Sequence, residues 1–225
     1  MSNLVPLSYS RIDALETCPR KYYGTTIAKT LKDEPNENTN WGTDVHLAFA
    51  EYFKKGTPLP LHMTQYQLAL TKIKANGGKP AEFVVEQKLA ISSKYEPTGW
   101  FDKDVYIRII SDLTMLLDNR KAAIMWDWKT GKPKSDFTQL ELAGAVMFLI
   151  VPTLQKITLA YYWLKTKEFA PKVFTRKDAG EFWLKFIPRI QRYQDAHATH
   201  DFPPRPNYLC ERYCPDKACP FWGKR

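Results

Sequence analysis

The chain has 225 residues, with 33 lysines and arginines against 24 aspartates and glutamates, which gives a formal net charge of +9. This length allows one elaborated domain or two small ones, and 44% hydrophobic residues can build a sizeable core, so a disordered chain is excluded. The longest apolar run, 142–151, is about half of what a bilayer-spanning helix requires, so we expect no membrane span. The first ten residues lack the pattern of a secretory signal, which favours a cytoplasmic location and reduced cysteines.

The positive excess favours a polyanionic partner, which could be nucleic acid or an acidic membrane surface. A membrane-surface adaptor is disfavoured because no amphipathic helix concentrates its lysines and arginines on one face. Charge alone cannot choose between these two partners.

The apolar pattern predicts helices and strands in an alternating order along the chain. The N-terminal part is predicted to hold a helix over 8–23 capped by Ser10, a loop over 32–40, a helix over 43–53 and a break at 76–78. The remainder is predicted to hold strands over 83–91, 105–117, 123–129 and 157–164, a helix over 136–150, and a last helix that begins at Asp178 and is kinked at Pro188. This order predicts an α/β or α+β fold.

The second and third predicted strands form an acidic hairpin if Asn119 and Arg120 are its two-residue loop. The residue numbers of cross-strand partners then sum to 239, which places Asp112 opposite Asp127. Lys129 projects from the same face as Asp127, because strand side chains alternate. Two carboxylates and an ammonium group suit Mg²⁺ or Mn²⁺ and the hydrolysis of a phosphodiester. A solvated ion pair would also explain an Asp-x-Lys sequence, although the apolar neighbours of Asp127 argue for a buried carboxylate.

These residues and four further segments resemble the PD-(D/E)XK nuclease superfamily, in particular its RecB-like exonuclease branch. Asp112 followed by Asp127-Trp-Lys-Thr-Gly131 is similar to the catalytic motif. The four other similar segments are the opening Ser8–Tyr23, the histidine motif Gly42–His46, the glutamine motif Gln139-Leu140 and the tail that begins at Phe202. The resemblance implies a metal-dependent DNA nuclease with a restriction-endonuclease-like core, in which a central mixed β-sheet is flanked by helices.

The resemblance also implies roles for individual residues. His46, Asp112 and Asp127 would hold the metal ion, and Lys129 would act on the attacking water. Glu86 matches an auxiliary acidic position of the fold. Each residue has a second explanation: without the family His46 would be an ordinary helical histidine, and Glu86 could be a strand residue facing water.

Gln139 would contact the catalytic groups or the substrate if the glutamine motif applies. It also lies three residues after Asp136, which is the spacing of a capping box at the start of a helix. Both explanations remain open from the sequence.

Four cysteines, Cys18, Cys210, Cys214 and Cys219, have the arrangement of one distant ligand followed by C-x3-C-x4-C. Four thiols suit zinc or an iron–sulfur cluster, and His197 and His200 offer substitute ligands for zinc. The resemblance implies a 4Fe-4S cluster like that of AddB-type and CRISPR-associated relatives. Such a site would join the two ends of the chain, so we expect loss of its metal to destabilise the fold.

The expected function is that of an exonuclease acting on DNA ends or single strands, in recombination, repair or phage DNA processing. The domain would span 1–225, with a core at about 41–165 and the cysteine region formed by 8–23 and 178–225. The chain has no Walker A sequence, so a helicase or recombination protein would be a separate partner. Candidate DNA contacts are Arg11, Arg20, Lys21 and Tyr22. The alternative is a non-catalytic nucleic-acid-binding module held together by structural zinc.

Overall fold

The computed structural model describes residues 5–33, 37–76 and 82–224. The chain divides into two compact units. We call 36–184 the sheet unit, and 1–35 together with 185–225 the terminal unit. The predicted break at 76–78 lies outside the described residues beyond Asn76.

The sheet unit is built on five strands in the order β1-β2-β3-β4-β5. The strands are β1 (Glu82–Ser92), β2 (Val105–Leu117), β3 (Ala122–Lys129), β4 (Lys156–Trp163) and β5 (Glu168–Thr175). Only β3 and β4 pair in parallel, and the other neighbours are antiparallel, so the sheet is mixed as expected. The chain crosses between β3 and β4 through a helix, which is the usual connection of parallel strands.

The hairpin between β2 and β3 has the register that its loop length predicts. Thr114 pairs with Met125 and Leu116 with Ala123. Asn119 and Arg120 both have positive φ, at 50° and 68°, and the N–H of Lys121 donates to the carbonyl of Asp118. Positive φ at both central residues is what a type I′ turn requires, and Asp118 before them also has positive φ, at 48°. The ladder of paired residues ends at Leu113 and Trp126, one pair before the two aspartates.

The helices of the sheet unit lie before β1 and between β3 and β4 along the chain. These are α3 (Glu37–Lys55), a 3-10 helix (Leu61–Tyr66), α4 (Gln67–Asn76) and α5 (Thr138–Ile150). The prediction of a loop through residue 40 is wrong, because Glu37 already begins α3 and places a carboxylate in the first turn, where it favours a helix. The apolar stripe of α3, including Val45, Phe49 and Phe53, packs in a core with Leu113 and Trp128.

Helix α5 is almost fully buried, and both of its ends are fixed by side chains outside the helix. Asp136 accepts from the backbone N–H of Thr138 at 2.8 Å. At the other end, the guanidinium of Arg176 donates to the carbonyls of Phe148, Val151, Pro152 and Leu154. These contacts satisfy groups that a helix terminus leaves without intrahelical partners.

The terminal unit begins with two short helices rather than the single predicted helix over 8–23. They are α1 (Tyr9–Thr17) and α2 (Pro19–Tyr22), followed by a π-helical turn (Tyr23–Ile27). Cys18 between them is extended, with φ −161° and ψ 107°, because the residue before a proline is disfavoured in helical conformation. The cap is Ser8, not Ser10, since the side chain of Ser8 accepts from the N–H of Arg11.

The last long helix, α6 (Ala179–Thr199), stays helical through Pro188. Within the terminal unit, its Arg189 and Arg192 bind Glu16 of α1, with N–O distances of 2.6 and 3.0 Å. A 3-10 turn (Tyr208–Cys210) follows. Among the described residues, no helix is long and apolar enough to cross a bilayer.

Candidate active site

Three side chains from three elements of the sheet unit form a cluster of potential metal ligands. His46 comes from α3, Glu86 from β1 and Asp112 from β2, and one ligand atom of each lies within 4.8 Å of the others. The Nδ1 atom of His46 is 3.1 Å from Oδ1 of Asp112. Asp112 is buried, whereas His46 and Glu86 are half-buried, so the cluster is open to solvent on one side.

Glu86 has an unusual backbone conformation, with φ at 54° in the middle of a strand. Its neighbours Val85 and Gln87 pair with Leu113 and Ser111, and the pair between them, Glu86 with Asp112, is missing from the ladder. A non-glycine residue in the left-handed region costs on the order of 1 to 3 kcal/mol, and such residues concentrate at functional sites. Burial and the charge of Asp112 raise the pKa of Glu86, so the two carboxylates repel each other without a cation.

Asp112 connects this cluster to the neighbouring strand. Its Oδ2 atom accepts the backbone N–H of Trp128 at 2.7 Å. A side chain on β2 thus accepts a hydrogen bond from β3 beyond the last pair of the ladder. The bond orients the carboxylate while its Oδ1 atom faces His46.

A second cluster lies on the residues that flank Trp128. The Nζ atom of Lys129 is 2.6 Å from Oδ2 of Asp127 and donates to Oε1 of Gln139 at 2.8 Å. The amide of Gln139 also donates to Oδ1 of Asp127 at 3.4 Å. The side-chain amide of Gln139 therefore bonds to both the lysine and the aspartate.

The charges of the two clusters act on each other. Burial and the charge of Asp112 raise the pKa of Asp127 to about 6, although Lys129 opposes the shift. Burial disfavours protonation of His46, but its hydrogen bond to Asp112 and the charges of Asp112 and Asp127 outweigh that effect and raise the pKa of His46. An excess of negative charge is therefore concentrated at this end of the sheet.

The donor set fits a hard divalent cation. It supplies carboxylate oxygens from Glu86 and Asp112 and one imidazole nitrogen, and Mg²⁺ and Mn²⁺ prefer oxygen ligands. The buried Oδ2 atom of Asp127 lies 2.6 Å from the ammonium group of Lys129, so this carboxylate already has a charge partner within the protein.

The four residues predicted to contact DNA lie in the terminal unit and are engaged within the protein. Arg20 binds Asp216 at 2.6 Å, Lys21 binds Asp33 at 2.8 Å, and Arg11 donates to the carbonyl of Pro6. Tyr22 is 1% exposed, and its hydroxyl lies 2.8 Å from that of Tyr193. Its buried ring leaves no face on which a base could stack.

The four cysteines line one small cavity of the terminal unit. None forms a disulfide. The Sγ atom of Cys18 accepts the N–H of Arg205, and that of Cys210 accepts the N–H of Asn207, each at 3.5 Å. The same cavity is lined by Asp216, which the sequence analysis missed; its position between two cysteines in Cys-Pro-Asp-Lys-Ala-Cys was the available signal.

The comparisons agree with this fold. The family model of the PD-(D/E)XK nuclease superfamily matches residues 6–220, and the chain belongs to that superfamily. A search of the curated proteins finds no significant match.

The fold is also found in a solved structure of low sequence identity. The crystal structure of a "Putative exonuclease" from Eubacterium rectale has a TM-score of 0.54 and 15% identity, and the match covers 93% of this chain and 87% of that one. The crystal structure of SSO0001 matches 99% of this chain and 88% of its own, with 17% identity and a TM-score of 0.42. The family match and the sheet together define the class of this protein as a nuclease of the PD-(D/E)XK superfamily.

Proposed function

We propose that this nuclease is a Mg²⁺- or Mn²⁺-dependent deoxyribonuclease of the RecB-like branch, which removes nucleotides from DNA ends or single strands. The observation that carries the proposal is the juxtaposition of the His46–Glu86–Asp112 cluster with Lys129, whose ammonium group is held by both Asp127 and Gln139. The "Putative exonuclease" with the same fold supports the choice of an exonuclease. Recombination, repair or phage DNA processing would be its setting, with a helicase or recombination protein as a separate partner.

His46, Glu86, Asp112 and Asp127 would hold the metal ion in this site. When bound, a divalent cation supplies a Lewis acid for the phosphoryl oxygen and lowers the pKa of a coordinated water. Lys129 is placed to orient the attacking water and to offset charge that develops on the phosphate. Gln139 acts as a positioning residue, because it fixes the ammonium group without being ionisable itself.

The test is degradation of end-labelled linear DNA and of covalently closed circular DNA, with and without Mg²⁺ or Mn²⁺. We expect metal-dependent shortening of the linear substrate, which Asp112→Asn and Lys129→Gln abolish and the exposed control Lys156→Gln preserves. Cleavage of the closed circle would overturn the exonuclease assignment. Metal-independent binding without any cleavage would instead support the nucleic-acid-binding module with structural zinc.

We further propose that the four cysteines hold a 4Fe-4S cluster, with zinc as the alternative. The shared cavity and the two N–H donors to sulfur support a bound group, because such hydrogen bonds stabilise thiolates. Arg20, Lys21 and Arg205 also line the cavity and would offset the charge of four thiolates. Purification without oxygen should give a brown protein with about four iron atoms per chain. A colourless protein with about one zinc atom would support the alternative.

A further inference from the structure

Two cations beside the candidate active site have no acidic partner among the described residues. Lys88 lies two residues after Glu86 on β1, and Arg108 lies four residues before Asp112 on β2. At about 3.3 Å per residue these positions are about 7 and 13 Å along their strands from the acidic residues. Both belong to the sheet unit, and Lys88 pairs with Ile110 while Arg108 pairs with Ala90, so the two side chains lie on one face of neighbouring strands.

An aromatic ring lies against both cations. The Nζ atom of Lys88 is 5.6 Å, and the Cζ atom of Arg108 is 5.4 Å, from the ring centroid of Trp100. The buried Nε atom of Arg108 has no hydrogen-bond acceptor among the described residues. The ring holds the cations in place without neutralising them, because a cation–π contact does not remove charge.

The loop that carries Trp100 also presents Phe101, which is 83% exposed. The loop is held by its own contacts: the hydroxyl of Thr98 and the N–H of Gly99 donate to Asp102 at 2.8 and 2.7 Å. Asp104 accepts from the same hydroxyl at 3.1 Å. The aspartates of the loop are thus turned onto its own backbone and Thr98, while a large apolar ring faces solvent.

We propose that Lys88, Trp100, Phe101 and Arg108, the Trp100 platform, bind the single strand of nucleic acid that leads to the carboxylate site. Unpaired cations attract phosphates, and an exposed aromatic face stacks on a base only where that base is unpaired. The combination therefore fits a single strand better than a duplex. This inference rests on the proposed function for the identity of the substrate, and it adds a binding site that determines where the strand enters.

The experiment measures binding of a short fluorescein-labelled oligothymidylate by anisotropy in EDTA, where no cleavage is required. Lys88→Gln and Arg108→Gln should each weaken binding about tenfold. The double variant should reduce the magnitude of the slope of the logarithm of the binding constant against the logarithm of the salt concentration by about 1.4, the value for two phosphate contacts on a single strand. Phe101→Ala should weaken binding about fivefold with little change in that slope. Lys156→Gln, at the opposite end of β4, is the matched control and should bind as wild type does.

Binding by Lys88→Gln and Phe101→Ala that equals wild type would overturn the proposal, as would a loss confined to a hairpin duplex of adenylate paired with thymidylate. Both residues are exposed, so these two variants decide the matter even if Arg108→Gln fails to fold. The outcome is separable from the proposed function. If the variants bind more weakly and wild type does not cleave DNA, the platform is retained and the nuclease assignment is rejected. If wild type cleaves DNA and the variants bind as wild type does, the nuclease assignment is retained and the platform is rejected.

Discussion

The carboxylate site of the sheet unit and the cysteine cavity of the terminal unit are built in different ways. The first takes its side chains from α3, β1, β2, β3 and α5, and the first four of these elements contribute to one apolar core. The second takes its side chains from the residue between two short helices and from a C-terminal segment that contains little regular structure. A metal ion at the carboxylate site would thus bind a preformed arrangement, whereas a metal group at the cysteines would itself hold the chain together. Each prediction below tests one side of this contrast.

The largest effect is expected for catalysis at the rigid site. Lys129→Gln removes the ammonium group that Asp127 and Gln139 hold, and should lower the cleavage rate by about 10³-fold. The fold should persist, because the strands do not depend on this side chain. Rates on end-labelled DNA and circular dichroism spectra check both statements. Cleavage within tenfold of wild type would remove Lys129 from the mechanism.

The next largest effect is expected for stability at the cysteine cavity. Cys214→Ser should lower the free energy of unfolding by about 3 kcal/mol, a fall in Tm of about 6 to 12 °C. An iron or zinc chelator should destabilise wild type to the level of the variant and have little further effect on the variant. Removing Mg²⁺ should leave Tm almost unchanged. Equal Tm values for wild type and Cys214→Ser would show that the cysteines bind no stabilising metal.

A smaller effect, with a defined pH dependence, is expected at Asp127. Burial and Asp112 raise the pKa of its carboxyl to about 6 from a model-peptide value near 3.8, so the folded state holds this proton more tightly than the unfolded state. Stability from this group is therefore complete below about pH 4 and is lost as the pH rises through about 6. In metal-free protein at pH 7, Asp127→Asn should be more stable than wild type by about 1 to 2 kcal/mol, less than the shift alone implies because the amide gives up the ion pair with Lys129.

Urea unfolding at a series of pH values tests this expectation. The advantage of Asp127→Asn should shrink between pH 7 and pH 4. The exposed Asp13→Asn serves as the control and should show no such trend. A variant that is less stable than wild type at pH 7 would contradict the argument.

The smallest effect is expected for the backbone of Glu86. Glu86→Gly should relieve the positive φ and the repulsion by Asp112, and should raise the stability of metal-free protein by about 1 kcal/mol. It should also reduce metal-dependent cleavage, because a ligand is lost. Lys167→Gly, at a φ of 57° in an exposed turn, is the matched control and should leave cleavage unchanged. A destabilised Glu86→Gly would mean that the side chain supports the strand.

The hairpin register could be predicted from the sequence because a two-residue loop fixes every pair beyond it, and the structure has that loop. The roles of His46 and Gln139 could not be derived from periodicity, since each lies on a helix where an ordinary explanation is as good. The positive φ of Glu86 has no signature in a strand-like sequence such as Val-Val-Glu-Gln-Lys. These features depend on distant segments that the local pattern does not contain.

Other elements were missed for physical reasons that the structure makes plain. β5 contains Pro171 and is mostly exposed, so its sequence lacks the usual pattern of a strand. A proline is accepted there because β5 is at the edge of the sheet. The helices over 61–76 have a weak apolar stripe. Tyr22 stands beside two basic residues in the sequence, yet the fold buries it, which sequence neighbours alone could not reveal.

The hydrogen bond from Trp128 to Asp112 uses the main chain rather than a side chain. Every amino acid except proline would supply the same N–H at position 128. Most substitutions of Trp128 would therefore keep the orientation of the Asp112 carboxylate. The choice of side chain at position 128 depends only on packing in the core.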